Sequence, residues 1–344
     1  LAQSIIVPEV DGMIRPTVLF AIREGDDGLP EAYTLPERLE GFVANVNRHI
    51  ALQRKPNAEK RVAIVYFKGP GSAALTASGM EVVPSLHNFL MSLKAAGYNV
   101  AGLPASADGL AQLIQRQGST FGTYAEGAQA EFMANGNPQP VGRDEFEAWT
   151  RASFTDRMLR ELQQTNGRFP GNFFALDDDH LGLPVVQLGN VVLMPQMPAG
   201  TGGDSFKMVH GTSAAPPYPY IAQYLWAQCG FEADALIHFG THGSLEYTPG
   251  KQVALSQDCW SDRLVGTLPH FYFYTIGNVG EGMIAKRRTY ASLTSYLTPP
   301  FMESQLRDTY RRLSEAIEAY DRQPDERGAL AIKRLTVEMG IHGE

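Results

Sequence analysis

The sequence lacks the features that mark several common classes of protein. Only two cysteines, Cys229 and Cys259, occur in 344 residues, and they form no CxxC pair, which argues against a disulfide framework and a zinc ribbon. No apolar run reaches the roughly 18–20 residues of a membrane-spanning helix. The net charge of −8 is not the basic excess of a general nucleic-acid-binding protein. We therefore expect a cytoplasmic, reducing environment, no membrane span and no nucleic-acid partner.

Nucleotide-binding motifs are also missing. The loop at 69–71 follows an apolar strand and precedes a helical pattern, a position at which helix N-termini bind phosphate. Its sequence, Gly-Pro-Gly, matches neither GxGxxG nor GxxxxGK[ST]. The sequence therefore does not predict a nucleotide site in this chain.

The periodicity of apolar residues predicts an α/β fold. A strand over 61–67, a helix over 81–96 and a strand over 98–101 form a β-α-β pattern, which usually belongs to a parallel sheet. We predict parallel-sheet α/β domains with a helical insertion, as a fragment of a larger multi-domain chain. The predicted divisions are an α/β domain (1–104), a mostly helical insertion (105–185) and a second α/β domain that carries the site (186–344).

The stretch 234–246 is the most informative part of the sequence. An apolar strand ends in a loop that places His238, His242 and Glu246 four residues apart. Histidine is a common metal ligand and proton carrier, and glutamate is a metal ligand or general base. These three residues are therefore predicted as both catalytic and metal-binding, although His238 alone also suits a hydrogen-bonded core position. Intervening glycines break the helical HExxH pattern, so a zinc protease is not predicted.

Five further residues are predicted to contact a substrate. His210 lies in a His-Gly turn before a proline pair, and the alternative is an exposed residue in a helix-capping turn. Lys251 and Arg287 are cations suited to substrate carboxylates, and the alternative for the basic run around Arg287 is a solvated face. Glu9 and Arg15 lie at a turn next to a strand, where the alternative is a purely structural role.

Six segments carry a longer, more specific pattern. The first is His-Phe-Gly-Thr-His-Gly-Ser-Leu-Glu-Tyr-Thr-Pro-Gly-Lys-Gln at 238–252, and the second runs from Ile-Ala-Lys-Arg-Arg-Thr-Tyr to Leu-Thr-Pro-Pro at 284–300. The shorter segments lie at 55–64, 189–191, 258–262 and 268–270. Together they resemble the large subunits of cobaltochelatase (CobN) and magnesium chelatase (ChlH/BchH). The resemblance covers most of the chain and is weakest over 105–185.

The resemblance implies a large subunit that inserts a metal into a tetrapyrrole or removes it. The metal would be a divalent cobalt, magnesium or iron ion, and the tetrapyrrole would be a porphyrin, a corrin or haem. ATP would enter only through partner subunits, namely an AAA+ ATPase and a metal-binding chelatase subunit. His242 and Glu246 would exchange protons and metal, with His238 and His210 in supporting or axial positions.

Two segments depart from the family pattern. They lie at 71–80 and 277–281, where the relatives usually carry Gly-Asn-x-Gly-Thr-Ala-Ala-Tyr and Asn-Asn-Pro-Ser/Gly-Glu runs. These departures favour the HmuS-type branch, CobN-like proteins of haem-uptake systems, and with it the removal of iron from haem. The alternative function is a non-catalytic tetrapyrrole carrier or scaffold that acts with ATPase partners. A metal-dependent hydrolase is a third hypothesis.

Overall fold

The protein is divided into two compact units. The computed structural model describes residues 2–13, 15–68, 76–77, 80–120, 126–200, 214–240, 243–275, 279–296 and 306–339. The first unit is Leu1–Leu297 and the second is Thr298–Glu344. In the second unit, helices Leu306–Arg322 and Glu326–Glu338 contact each other. Asp325 is the N-cap residue of the later helix, and its side chain accepts a hydrogen bond from the Gly328 backbone N–H at 2.6 Å.

The described strands are short, and most of the longest ones are apolar. In chain order they are β1 Phe20–Glu24, β2 Pro30–Thr34, β3 Val62–Tyr66, β4 Thr76–Ala77, β5 Met80–Glu81, β6 Gln139–Gly142, β7 His180–Leu183, β8 Val186–Leu188, β9 Val191–Pro195, β10 Ala235–Phe239, β11 His270–Thr275 and β12 Ser292–Tyr296.

The main sheet has six strands in the order β12-β11-β10-β3-β9-β8. All neighbours in it are parallel except β8 and β9. This arrangement confirms the predicted α/β class with a parallel-dominated sheet. Strands from both predicted α/β domains, 1–104 and 186–344, pair within this one sheet, since β3 lies between β9 and β10. The domain boundaries themselves stay a prediction.

One predicted strand is wrong. Residues 98–101 form no strand, although Gly97 ends the preceding helix with a φ of +85° as predicted. Conversely, β12 was not predicted. The neighbours of β3 come from much later in the chain, so the local β-α-β pattern did not identify them. The physical reason is that strand pairing is decided by tertiary burial, which apolar periodicity does not encode.

The described helices are distributed over both units, the last two in the second unit and the others in the first. They are α1 Val7–Val10, α2 Pro36–Arg54, α3 Val82–Ala95, α4 Ala107–Gln117, α5 Glu126–Asn135, α6 Arg143–Ser153, α7 Asp156–Asn166, α8 Tyr218–Leu225, α9 Trp260–Val265, α10 Val279–Thr289, α11 Leu306–Arg322 and α12 Glu326–Glu338. The described part of 105–170 is largely helical, whereas β7 lies in the later part of the predicted insertion 105–185, whose bounds stay a prediction. Within the described residues, no helix has both the length and the apolarity needed to cross a bilayer.

Side chains alternate in direction along the central strands, so the core residues are divided between the two faces of the sheet. Ile64 and Ile237 belong to a core cluster that includes residues of α3 and α4. Val65 and Leu236 belong to the opposite cluster, which includes every residue of α8 from Tyr220 to Leu225 except Gln223. Because side chains alternate between faces with a period of two, a polar side chain in phase with Leu236 lies among the residues of α8. His238 occupies that phase.

Helix α2 has an open apolar face. Its periodic residues Leu39, Phe42, Val43, Val46 and Ile50 are 38–47% exposed. Polar contacts attach this helix to the rest of the first unit instead. Its one buried residue, Arg38, is bonded to Asp262 of α9.

Candidate acid and base site

The candidate site forms where the chain leaves β10. After the strand, a short 3-10 turn, Leu245–Tyr247, places Glu246 in the interior with no exposed surface. Glu246 Oε1 accepts a hydrogen bond from the Tyr272 hydroxyl of β11 at 2.8 Å. Glu246 Oε2 is buried and has no hydrogen-bond partner among the described residues. A buried carboxyl oxygen without a partner is costly, and it is the atom best placed to exchange a proton.

Burial dominates the acidity of Glu246. Removal from water raises its pKa to about 7, against smaller opposing effects of hydrogen bonds from backbone N–H groups and Tyr272. A carboxyl with a pKa near 7 is present in both protonation states at neutral pH. It therefore suits general acid and base catalysis.

Gly243 passes close to the carboxyl group. A β-carbon there would lie 2.6 Å from Glu246 Oε2 and 3.0 Å from the Tyr272 hydroxyl oxygen, so a larger residue would displace the Glu246 carboxyl. The Gly243 backbone N–H also donates to that hydroxyl oxygen. The absence of a side chain at Gly243 thus lets the backbone approach the carboxyl group closely.

A chain of hydrogen bonds runs beside Glu246 through two buried histidines. The Tyr224 hydroxyl lies 2.9 Å from His238 Nε2, and His238 Nδ1 lies 2.6 Å from His270 Nε2. His270 Nδ1 in turn lies 3.0 Å from the carbonyl oxygen of Thr289. The ring of His238 also lies 5.6 Å from that of Tyr272, centroid to centroid, so this chain adjoins the Glu246 group.

The direction of these hydrogen bonds follows from their last acceptor. A carbonyl oxygen only accepts, so His270 Nδ1 carries the proton. In a neutral His270 the Nε2 atom then accepts, which requires His238 Nδ1 to donate. His238 Nε2 is therefore unprotonated and accepts from the Tyr224 hydroxyl. Both rings are neutral because burial lowers the pKa of His270 to about 4 and that of His238 well below its usual value.

These bonds occupy both ring nitrogens of His238. A metal could bind His238 only if one of the bonds, to Tyr224 or to His270, were broken. Among the described residues, no group of three or more histidine, cysteine, aspartate or glutamate side chains is arranged to hold a metal ion. The predicted set of His238, His242 and Glu246 stays a prediction, since His242 lies outside the described residues.

The other predicted site residues lie in different places. Arg287 is bonded to Glu9, with Nη2 to Oε2 at 2.6 Å and Nε to the same oxygen at 3.0 Å, so the two charges offset each other. Lys251 is exposed. Arg15 donates to Asn45 Oδ1 at 2.6 Å. His210 lies outside the described residues, as do the loop 69–71 and much of the divergent segments 71–80 and 277–281.

Sequence reasoning missed the aromatic part of the site. The run His-Phe-Tyr-Phe-Tyr-Thr of β11 alternates polar and apolar rings, which places His270, Tyr272 and Tyr274 on one face. All three are at most 4% exposed. This alternation was the available signal, but from its sequence the segment was interpreted only as a buried strand. Nothing local to the sequence indicated Tyr220, whose hydroxyl lies 2.9 Å from Ser244 Oγ, or Tyr224.

The neutral histidine pair makes stability depend on pH in a defined direction. Below pH 6.5 the unfolded chain gains protons on these histidines while the folded chain does not, until about pH 4 for His270. Stability is therefore complete above pH 6.5 and falls as the pH drops through this window, by about 1.4 kcal/mol per pH unit for each histidine. Urea unfolding at pH 7.0 and 5.5 measures this loss of stability. His270→Asn should reduce the slope, whereas His180→Asn, at a side chain 45% exposed, should retain it. Equal slopes in wild type and His270→Asn would contradict the neutral pair.

The fold and the site define a class. This is an α/β protein with a buried carboxyl of raised pKa beside the carboxyl end of a central parallel strand, where such sheets bind ligands. Residues 1–342 match the family model described as CobN/Magnesium Chelatase. The chain belongs to this family.

Individual relatives agree with the family match. The chain is 34% identical over 328 residues to the chloroplastic magnesium-chelatase subunit ChlH of Oryza sativa subsp. indica, covering 94% of this chain and 22% of the relative. It is 32% identical over 333 residues to the aerobic cobaltochelatase subunit CobN of Pseudomonas aeruginosa, covering 93% and 26%. The catalytic subunit of cobaltochelatase from Mycobacterium tuberculosis is similar in structure, with a TM-score of 0.74 and 27% identity over 98% of this chain and 29% of that one.

The chain is much shorter than these proteins. It spans 22–29% of the length of the three relatives named above. Their names describe subunits of magnesium chelatase and cobaltochelatase. The activity, substrates and partners of the whole protein are therefore a matter for proposal.

Proposed function

We propose that this chain supplies the acid and base chemistry of metal exchange in a tetrapyrrole, as part of a large chelatase subunit. The observation that carries the proposal is Glu246, a fully buried carboxyl with a pKa of about 7 and one oxygen that has no hydrogen-bond partner among the described residues. Membership of the CobN/Magnesium Chelatase family supports the choice of substrate class. The macrocycle and the metal are both substrates in this proposal.

The chemical step requires a base. Metal entering a tetrapyrrole displaces the protons of pyrrole N–H groups, and metal leaving requires protons to return. In the proposal, deprotonated Glu246 accepts a pyrrole proton at Oε2, while the Tyr272 hydroxyl holds Oε1. The Tyr272 bond favours the charged form of the carboxylate, and burial favours the neutral form. Their balance near pH 7 allows Glu246 both to take and to release a proton.

The histidine chain has a supporting role in the proposal. It ends on a carbonyl oxygen, which does not pass a proton onward, so it orients groups rather than conducting protons. Its effect is to fix Tyr224 and His238 beside the Glu246 group. His242 and His210 remain proposed as proton, metal or axial groups. Lys251 and Arg287 remain proposed as groups that bind substrate carboxylates, and Glu9 and Arg15 as further groups that contact the substrate.

The identity of the metal and the choice between its insertion and its removal are finer proposals. The relatives named above are magnesium and cobalt chelatases, which favours insertion of one of these ions. The departures at 71–80 and 277–281 motivate the alternative of iron removal from haem, in an HmuS-type branch. ATP is proposed to act only through partner subunits, an AAA+ ATPase and a metal-binding subunit, because the sequence contains no Walker motif.

A paired measurement tests the function. Purified protein is titrated with a free-base porphyrin, a corrin precursor and haem, and binding is followed by visible absorbance. The spectrum is then followed after Mg²⁺ or Co²⁺ is added, with and without the ATPase partners. We expect tetrapyrrole binding and a spectral change to the metallated form. For haem, growth of a free-base spectrum would support the removal branch. Binding with no metal exchange under any condition would favour the non-catalytic carrier, and no tetrapyrrole binding would contradict the proposal.

Tyr272→Phe should shift the pH dependence of metal exchange to higher pH. The variant removes the hydroxyl that donates to Glu246 Oε1, a bond that lowers the carboxyl pKa. Hydrogen bonds to charged groups contribute about 1.5–3 kcal/mol, so the midpoint should rise by about one to two pH units. Rate against pH in both proteins measures the shift. Tyr98→Phe, at a ring that stacks on Lys60 away from Glu246, is the matched control. An unshifted midpoint in Tyr272→Phe would show that this bond does not tune the base.

A further inference from the structure

A separate cavity contains an excess of positive charge. It has a volume of about 240 Å³, and none of its lining residues belongs to the Glu246 group. Helices α2 and α9 and the turn 266–268 form much of its wall. Its charged lining residues are Arg15, Glu37, Arg38, Asp262 and Arg263. Three guanidinium groups therefore face two carboxylates.

The carboxylate of Asp262 is already shared by two of these cations. Arg38 donates to its two oxygens at 2.7 and 3.0 Å, and Arg263 lies 3.1 Å from one of them. The Tyr290 hydroxyl donates to the same carboxylate at 3.3 Å. Asp262 therefore has little capacity left to offset a third guanidinium.

Among the described residues, Arg15 is the cation of this cavity that has no charged partner. It donates to the neutral oxygens Asn45 Oδ1 at 2.6 Å and Ser292 Oγ at 3.5 Å, and it is in no ion pair with a described carboxylate. Burial lowers the pKa of Arg15, and no carboxylate in the described part of the chain acts against that effect. A partly buried cation without a counter-charge is costly to keep.

The backbone holds Arg15 in this position at a further cost. Its φ is +58°, in the left-handed region that residues other than glycine rarely adopt. Such strain persists where the surrounding structure fixes a side chain in place, and it often marks a ligand-contacting residue. An anion in the cavity would offset the charge that the described protein groups leave unbalanced.

The size of the cavity limits what it holds. Pockets for drug-sized molecules measure about 300–1,000 Å³, so a cavity of about 240 Å³ is too small for a tetrapyrrole ring. It accommodates a carboxylate group. Since the excess is one positive charge, a singly charged anion matches it better than a phosphate dianion. We propose that this cavity binds one carboxylate group, with Arg15 as its charge partner. The group belongs either to a small free acid or to a carboxylate arm of a tetrapyrrole.

The proposal is tested with trifluoroacetate as the carboxylate probe. Fluorine NMR of the probe with purified protein should show saturable line broadening that acetate reverses and phosphate reverses less well. Arg15→Gln should weaken binding at least about tenfold, because a charged hydrogen-bond donor is lost. Arg15→Lys retains the charge and should bind more tightly than Arg15→Gln. Arg61→Gln, at an exposed arginine paired with Glu232, should bind as wild type.

Several outcomes would overturn the proposal. They are no saturable broadening, equal affinity in wild type and Arg15→Gln, equal loss in Arg15→Lys and Arg15→Gln, or stronger displacement by phosphate than by acetate. Circular dichroism of each variant verifies that it is folded. None of these measurements depends on metal exchange, so the proposed chelatase function and this site succeed or fail separately.

A second comparison identifies the source of the carboxylate. Trifluoroacetate is titrated into protein saturated with a porphyrin that carries two propionates, and into protein saturated with its dimethyl ester. Displacement by the diacid alone would assign the cavity to a tetrapyrrole arm. Displacement by neither would assign it to a small free acid. Displacement by both would mean that the macrocycle itself blocks the cavity, and the tetrapyrrole arm would then be rejected as the source of the carboxylate.

Discussion

Glu246→Gln should abolish most metal exchange while leaving tetrapyrrole binding intact. The amide has nearly the same size as the carboxyl and retains an oxygen for the Tyr272 hydroxyl, so packing is preserved. It cannot take a proton at neutral pH. General base catalysis contributes about 10²–10⁴ in rate, and a loss of that size is expected in the turnover number.

The control for this prediction is another glutamate. Glu232→Gln changes a side chain that is 72% exposed and paired with Arg61 at the surface, so it should exchange metal at the wild-type rate. Binding is measured by absorbance titration and turnover by the growth of the metallated spectrum. A Glu246→Gln variant that exchanges metal as fast as Glu232→Gln would remove Glu246 from the mechanism. A variant that fails to bind tetrapyrrole would assign Glu246 to substrate binding instead.

Breaking the Arg38–Asp262 pair should cost more stability than any surface change. Both residues are 7% exposed, and two hydrogen bonds of 2.7 and 3.0 Å join them. Asp262→Leu leaves the buried guanidinium of Arg38 without its carboxylate, which costs about 3–5 kcal/mol of the free energy of unfolding. Arg38→Met should cost less, because Asp262 keeps its contacts with Arg263 at 3.1 Å and with the Tyr290 hydroxyl. Urea unfolding measures both losses. This pair joins helix α2, whose apolar face is largely open, to α9.

A double variant separates the pair from its surroundings. Arg38→Met with Asp262→Leu removes both charges, so its cost should be well below the sum of the two single changes. Arg23→Met provides the surface comparison, because Arg23 and Glu31 are 60% and 55% exposed and such pairs contribute at most about 1 kcal/mol. Additive losses in the double variant, or single losses no larger than that of Arg23→Met, would contradict the description of a buried, mutually dependent pair.

Much of the fold was predictable because apolar periodicity reports burial. The strand at 61–67 and the helix at 81–96 were each predicted within a few residues of their observed bounds, and the apolar strand predicted within 234–246 is β10. The pairing of β3 with β10 was not predictable in this way. It joins residues far apart in sequence, and any of several buried strands has the composition to fill that position.

The candidate site was predicted in part. The loop residues were apparent because histidine, glycine and glutamate are unusual after a buried strand. Tyr272 and His270 were not recognised, because their function depends on a neighbouring strand and on the register that aligns His238 with Tyr272. The raised pKa of Glu246 was equally inaccessible from sequence, since it results from complete burial rather than from the identity of its neighbours in the chain.

The contacts of charged residues were the least predictable feature. Arg287 and Glu9 were both proposed from sequence as substrate contacts. The structure shows them bonded to each other, although 278 positions separate them in the sequence. Sequence shows that a residue is charged but not whether a counter-charge lies beside it. Arg15 and Arg287 were therefore both predicted from sequence as substrate contacts. Only Arg287 has a carboxylate partner among the described residues.

The rate of metal exchange as a function of pH tests the central claim most directly. A base with a pKa of about 7 predicts that the rate of metal insertion in single-turnover conditions rises with pH through a midpoint near 7. The same measurement on Glu246→Gln should give a low rate without that rise. A wild-type rate that does not change between pH 6 and 8, or an identical pH profile in Glu246→Gln, would contradict the assignment of Glu246 as the proton acceptor.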